Sequence, residues 1–520
     1  MNHSNRRQFL KRASMLGAAG ITTPWALNLA SMGVAAAQSS SATDYKALVC
    51  IFMAGGNDAH NTVLATDGNS RWNYLSARDP NAAANFEADQ AGDPLIASPM
   101  SIALPMKDLR PITIKQTDPW NRTFALNPEL RRIQQMYADG KAAVIANVGP
   151  LVMPTLKVNI NLTDQLLPKN LMSHNDQTST WQTFSPEGAV GGWGGLMMDS
   201  LMSRNTSATF SSIAINSGST WLAGNQVSPY QLSTSGLYRM AGEGTTFGST
   251  AVFEAVRRIA ATPSRQDTLA LDYTKTVQRA LSVEGTLLTA LPAADRAPWG
   301  SPGAASAASD PLLKYTNPNT QVSSLNPLAV QLQLVARMIS ARNATAIGAK
   351  RQVFMISMGG FDTHSDQNAT HADLMAKLDQ AIGYFYDTLA QMPGGQDMRS
   401  NVTTFTASEF GRTLNNNGDG TDHGWGGHHF VFGGSVKGGD MYGTFPLFTS
   451  LDTDTGVYQS ADFLSNGILL PSQSVDQFAY TLGKWMDVSE SALVGVGGAP
   501  GIVPNIRNFD VDTRNLGFMA

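Results

Sequence analysis

The 520-residue sequence predicts a mixed α/β fold: an α/β/α sandwich with a mostly parallel central sheet and a helical insertion. Three observations carry this. Short, almost uniformly apolar runs recur along the chain, each closed by glycine or polar residues, and strands covered by helices on both faces read this way. Stretches with apolar residues at helical spacing alternate with these runs, as strand–helix–strand units require. The residues that close the runs are repeatedly Asp, His, Asn and Gly, as expected of loops gathered at one edge of a parallel sheet.

Taken in chain order, residues 1–37 come first. Arg6 and Arg7 precede Phe9, Leu10 and Lys11, a weakly apolar stretch follows, and small residues end it at Ala35–Ala37. This resembles a twin-arginine signal peptide cut after Ala37, which predicts the twin-arginine export machinery as a partner and a periplasmic or extracellular protein. Residues 38–520 then form a single domain. "YKALVCIFMAGGNDAHN" predicts a strand over 46–53 ending in a glycine turn, and "NPELRRIQQMYADG" a helix with Asn127 as cap and Gly140 as stop. "KAAVIANVG" gives a second strand at 141–149. From about 205 to 330 the pattern changes to a long helical passage and then a Pro, Ala, Gly and Ser-rich segment, read as an insertion with a surface loop. "RQVFMISMGGFDTH" and "NVTTFTASEFGR" are the third and fourth strands. Between them Leu374, Leu378, Ala381, Phe385 and Leu389 mark one face of a helix, and Val475, Phe478, Leu482 and Trp485 mark a last one.

Composition narrows the function. A net charge of −4 and 15% charged residues provide no basic field for a phosphate backbone, so nucleic acid is excluded as a partner. The lone cysteine, Cys50, rules out an intrachain disulfide. No segment after the leader approaches the ~20 apolar residues of a membrane-spanning helix, so the mature protein is expected not to span a membrane.

The chemistry concentrates in "GRTLNNNGDGTDHGWGGHHFVFGG", residues 411–434, where three of the eight histidines fall within seven residues. Acids stand beside the histidines or at predicted strand ends: Asp58 in "GGND", Asp362 two residues before His364, Glu409 in "ASEFGR" and Asp422 next to His423. Residues two apart in extended chain point to one side, so Asp362 and His364 reach a common ion. Imidazole with carboxylate suits zinc, manganese or iron. Two such clusters on neighbouring loops would hold two divalent ions. "NNNGDG" begins like a calcium loop but has Gly426 where the bidentate Glu should stand, so it reads as a tight turn presenting Asp422 and His423. "LMSHNDQTSTWQ" places Ser173 and His174 at a helix start, where a hydroxyl beside a cation is activated; Ser173 is the candidate nucleophile. Arg412 is a candidate fork for an oxyanion, or a partner of Glu409.

Several stretches carry a resemblance: "ALVCIFMAGGNDAHN", "SHNDQTSTWQ", "GGFDTHSDQNATH", "FTASEFGRTLNNNGDGTDHGWGGHHFVFGGSVKGG" and the terminal "NLGFM". Together they resemble the secreted DUF1501 family, itself similar to the alkaline phosphatase and sulfatase superfamily. The resemblance implies an alkaline phosphatase-like sandwich, a two-metal site at strand ends and a nucleophile at a helix start. It implies Asp58, Asp362, His364 and Glu409 as metal ligands, with His423, His428 or His429 supplying the last histidine. Whether Asp422 with His423, or Glu409 alone, replaces the superfamily's adjacent Asp-His pair stays open. His174 is a ligand or an acid. Formylglycine chemistry is not expected, because Cys50 lies inside a strand. The function expected is an exported metal-dependent hydrolase of phosphate or sulfate esters, small or polymeric. The alternative is a non-catalytic exported surface or assembly protein that keeps the fold.

Overall fold

A computed structural model describes residues 45–520 apart from 236–244, 263–267 and 453, so the predicted leader lies outside the described residues. The strands of the central sheet are β1 Lys46–Ala54, β2 Ala142–Gly149, β3 Ser212–Ile215, β4 Tyr230–Leu232, β5 Arg351–Gly359, β6 Val402–Ala407, β7 Gly427–Phe432, β8 Met441–Tyr442 and β9 Gln473–Ser474. Their order is β8-β2-β7-β6-β1-β5-β3-β4, with β9 also paired to β2. β1 runs parallel to β5 and β6, and β5 to β3. Only β7 is reversed, pairing antiparallel with both β6 and β2. The expectation of a mostly parallel sheet holds.

The packing helices are α1 Gly68–Arg78, α2 Arg131–Ala138, α3 His174–Thr183, α4 Trp193–Leu201, α5 Thr250–Ala260, α6 Thr268–Ala290, α7 Pro327–Ser340, α8 Gln367–Leu389 and α9 Val475–Trp485. Successive strand residues point to opposite faces, and β1 shows both faces dry. Val49 and Ile51 join one core with Ile133 of α2, Val335 of α7 and Leu378 of α8. Leu48, Cys50 and Phe52 join a second core with Trp181 of α3, Met197 of α4 and Phe478 of α9. The stripes read from α8 and α9 are these buried faces. Removing a ring such as Phe478, fully buried, would cost about 3–5 kcal/mol.

Three local expectations are corrected. The helix after Asn127 starts at Arg131, because Asn127 instead accepts from Glu129 N–H in a turn. The helix's orphan N–H groups at Arg132 and Ile133 are met by the Asp379 carboxylate of α8, at 3.0 and 2.8 Å. The 205–330 segment is not wholly an insertion, since β3 and β4 within it extend the main sheet; α5 and α6 follow them. His428 and His429 lie inside β7, not in the loop. Among the described residues no helix is long and apolar enough to cross a membrane.

Candidate metal centre

The chain converges at the rim where β1, β5 and β6 end. β7 is antiparallel, so it begins at that same rim, with Gly427 opposite Val148 near the end of β2. The long connection from β6 to β7 therefore never leaves this edge. Gly55, just after β1, sits at φ +121, and a Cβ there would lie 2.3 Å from Asp362 N. Only glycine allows the loop after β5 to come so close. Gly420 plays the same part for the other loop, since a Cβ would lie 2.3 Å from the His364 carbonyl carbon. The calcium-like turn is a cap: Asp419 Oδ2 accepts from Asp366 N–H, and its carbonyl from Gln367 N–H, at the start of α8.

These approaches bring His174, Asp362 and His423 together, with one potential ligand atom from each lying within 4.8 Å of the others. His364 joins them: its Nε2 is 3.0 Å from His423 Nε2 and 3.1 Å from Asp362 Oδ1. His423 Nε2 is 3.3 Å from the same oxygen, and His174 Nε2 is 3.6 Å from Asp362 Oδ2. Asp362 and His364 are close to half exposed, which opens the cluster to solvent on one side. Phe410, buried, closes the rear, its ring centroid 4.8 Å from His174 and 4.6 Å from His423.

The opposite ring nitrogens decide what the inner ones can be. His174 Nδ1 donates to Glu409 Oε1 at 2.9 Å, and His423 Nδ1 donates to the Met172 carbonyl at 2.9 Å. His364 Nδ1 faces Asp422 Oδ1 at 3.5 Å. A proton on Nδ1 leaves Nε2 a bare lone pair, the tautomer that metal-bound histidines adopt when an oxygen anchors the far side. Two such lone pairs, on His174 and His423, then face the Asp362 carboxylate. His364 Nδ1 lies 3.5 Å from Asp422, so at the 3.0 Å contact of the two Nε2 atoms either His364 Nε2–H donates to His423 or a cation is shared by both nitrogens. Two nitrogens on a tetrahedral zinc are about 3.3 Å apart, given Zn–N near 2.0–2.1 Å. The imidazole and carboxylate donor set fits zinc, manganese or iron.

Burial would raise the Asp362 pKa, but the Arg412 hydrogen bond and charge, with His364 and His174, outweigh it and hold the carboxyl below its ordinary range. Arg412 Nη1 donates to Asp362 Oδ1 at 2.7 Å and to the Gly55 carbonyl at 3.3 Å. Its Nε and Nη2 go to Thr421, and the guanidinium is fully buried. It bonds neither Glu409 nor open space, so it orients Asp362 and is not an oxyanion fork.

Other expected residues fall elsewhere. Asp58 is fully buried, its oxygens taking Arg78 at 2.5 and 2.9 Å, Gln367 Nε2 at 2.6 Å and His60 N–H at 3.1 Å. Burial pushes its pKa up, yet Arg78 overrides this and brings it down to about 2. Every lone pair is occupied, so Asp58 is not a ligand. His428 Nδ1 accepts from Asn147 N–H, its ring stacks on Phe445, and burial drives its pKa well down. His429, pointing to the other face of β7, packs on Trp181. Glu409 accepts from Gly55 N–H at 2.8 Å as well as from His174, so it supports a ligand without being placed as one. Asp422 is held by Asn417 and Asn466 and stands behind His364. Ser173 caps α3, donating to Asp176 Oδ2 at 2.9 Å, so its proton is already committed. Of the two roles left open for His174, ligand or acid, its position beside Asp362 and His423 fits the ligand. Sequence signals for it existed only as a helix-start histidine, since its partner Glu409 lies 235 residues away. The described residues show one donor group of this kind, whereas the sequence reading expected two ions.

The fold and site define a class: a mixed α/β protein carrying a histidine and carboxylate cluster at the carboxyl ends of its parallel strands. Residues 45–494 match the family described as "Protein of unknown function (DUF1501)", and the chain belongs to that family. No curated protein matches the sequence.

Proposed function

We propose that this protein is an exported, metal-dependent ester hydrolase with one divalent ion held by His174, Asp362, His364 and His423. One observation carries the reading: three imidazoles turn Nε2 toward a shared carboxylate while oxygens face the Nδ1 side of each ring. The chemistry such an ion supplies when bound is polarisation of an ester oxygen and activation of water near neutral pH. The chain's own residues do the rest. Glu409 and the Met172 carbonyl fix two tautomers, Arg412 fixes Asp362, and Phe410 keeps water from the rear. The half-exposed side of Asp362 and His364 admits substrate. The paired arginines and small-residue end of residues 1–37 support export as part of the proposal. We propose also that the fold is similar to that of the alkaline phosphatase and sulfatase superfamily, whose substrates are phosphate and sulfate esters.

Elemental analysis of the purified mature protein tests this, together with ester hydrolysis before and after chelation. Near-stoichiometric zinc, manganese or iron is expected, with chelator-sensitive activity, and both should fall in His423→Ala. A metal-free protein inert on a broad ester panel would refute it and favour the non-catalytic surface or assembly role.

A further inference from the structure

We infer that Gln367 is a positioning residue for the metal centre: its side-chain amide fastens the two loops that carry Asp362, His364 and His423 to the buried ion pair of Asp58 and Arg78. This deepens the proposed function and rests on it. Gln367 opens α8 and is fully buried. Its Nε2 donates to Asp58 Oδ2 at 2.6 Å. On the other side its Oε1 accepts from Thr421 Oγ1 at 2.6 Å and from Thr363 Oγ1 at 3.1 Å. Thr363 is buried between the half-exposed Asp362 and His364, on the loop after β5. Thr421, also buried, stands just ahead of Asp422 and His423 on the connection from β6 to β7. One amide oxygen, with two lone pairs, therefore takes a hydroxyl from each ligand-bearing loop. The loops also meet directly, Thr421 N–H donating to the Thr363 carbonyl at 3.0 Å.

The surroundings of the amide fix which way it points. Asp58, ion-paired with Arg78 at 2.5 Å, is a carboxylate and only accepts, so the Gln367 atom facing it is the nitrogen. Turned over, the amide would set its oxygen against that carboxylate, two buried acceptors with no proton between them, which is costly. From Gln367 the bonds run on with one assignment each. Thr421 Oγ1, having given its proton to Gln367, accepts from Arg412 Nε at 3.1 Å. Arg412 Nη1 then donates to Asp362 Oδ1 at 2.7 Å. Asp58 is thus tied to Asp362 through Gln367, Thr421 and Arg412, which gives it a part in the site although its own oxygens are taken. A metal site needs its ligands held to within about 0.5 Å by side chains that are themselves locked in place. α8 supplies the fixed origin, because the helix that begins with Gln367 packs Leu374, Leu378 and Phe385 into the core.

The test uses the mature protein with zinc, with cobalt(II) and metal-free. Gln367→Met keeps the length of the side chain and removes these three hydrogen bonds, whereas Thr421→Val cuts the path to Arg412 and Thr363→Val removes only the other hydroxyl. Gln367→Met should weaken zinc binding about tenfold, read against a competing chelator. It should also shift the visible absorption of the cobalt form, which reports how the ion is surrounded. Adding Thr421→Val should weaken binding no further than the stronger single change, because both interrupt one path. In metal-free protein, Thr421 N–H should exchange about tenfold faster in Gln367→Met and in Thr363→Val. Thr363→Val leaves Asp58 fully bonded, so it carries the test if Gln367→Met does not fold. Zinc affinity within about twofold of the parent and an unchanged cobalt spectrum in Gln367→Met would overturn the inference, as would additive losses in the paired variant. A parent protein that binds no metal sinks the hydrolase reading alone. Thr421 exchange at the parent rate then overturns the role of Gln367, and faster exchange upholds the fastening of the two loops.

Discussion

Glu409→Gln isolates the anchoring of His174. The Glu409 side chain is almost fully buried, and its Oε1 takes both His174 Nδ1–H at 2.9 Å and Gly55 N–H at 2.8 Å. Gln keeps an acceptor oxygen for Gly55 N–H and His174, removes the charge, and turns the Oε2 side into an NH2 donor facing Ser408 Oγ, so the backbone bond to Gly55 survives. Loss of a carboxylate behind a metal-binding histidine costs about 10–100-fold in metal affinity, or about 1.4–2.8 kcal/mol at 1.4 kcal/mol per tenfold. The metal-free fold should change by less than about 1 kcal/mol, because no buried donor is orphaned. Glu409→Ala orphans both donors and should destabilise the metal-free fold by about 1–3 kcal/mol. Zinc titration against a competing chromophoric chelator, paired with urea unfolding of metal-free protein, separates the two effects. Zinc affinity within about twofold of the parent in Glu409→Gln would refute the role given to Glu409.

Arg78→Met strands the buried Asp58 carboxylate and should cost about 3–5 kcal/mol in urea unfolding, whereas Asp58→Asn should leave zinc stoichiometry unchanged. The folded pKa of Asp476 lies near 7, above its ordinary value of 3.8, so the folded state binds its proton more tightly. Its contribution to stability is present below about pH 4 and is lost as pH rises through about 7. Asp476→Asn should flatten that decline in a melting-temperature series. Gly55→Ala meets the Asp362 backbone and a φ of +121, and should lose at least about 3 kcal/mol along with metal binding, read by unfolding and elemental analysis.

The central strands were legible because β1, β2, β5 and β6 are buried on both faces and carry little else. β3 and β4 are four and three residues long, too short for a pattern against the helical segment around them. "GHHFVF" concealed β7, since two histidines interrupt an apolar run and only folding shows each packed on aromatic rings. Asp362, His364 and His423 were readable at the site because loop acids and imidazoles have no packing role of their own. Asp58 looked identical in the sequence. What separates it is Arg78, presented by α1 twenty residues later, and no spacing rule announces a guanidinium that far away.

The reversal of β7 has a mechanical consequence. A right-handed crossover to another parallel strand would have carried the chain to the far edge of the sheet and back. Because β6 and β7 meet head to tail, the intervening stretch is a stirrup fastened at both feet to the same edge. A cation gripped there would clamp it to α3 and to the loop after β5, tying three stretches of chain into one unit that opens together. Loaded and empty protein should then differ most in how readily that edge exchanges its amide hydrogens.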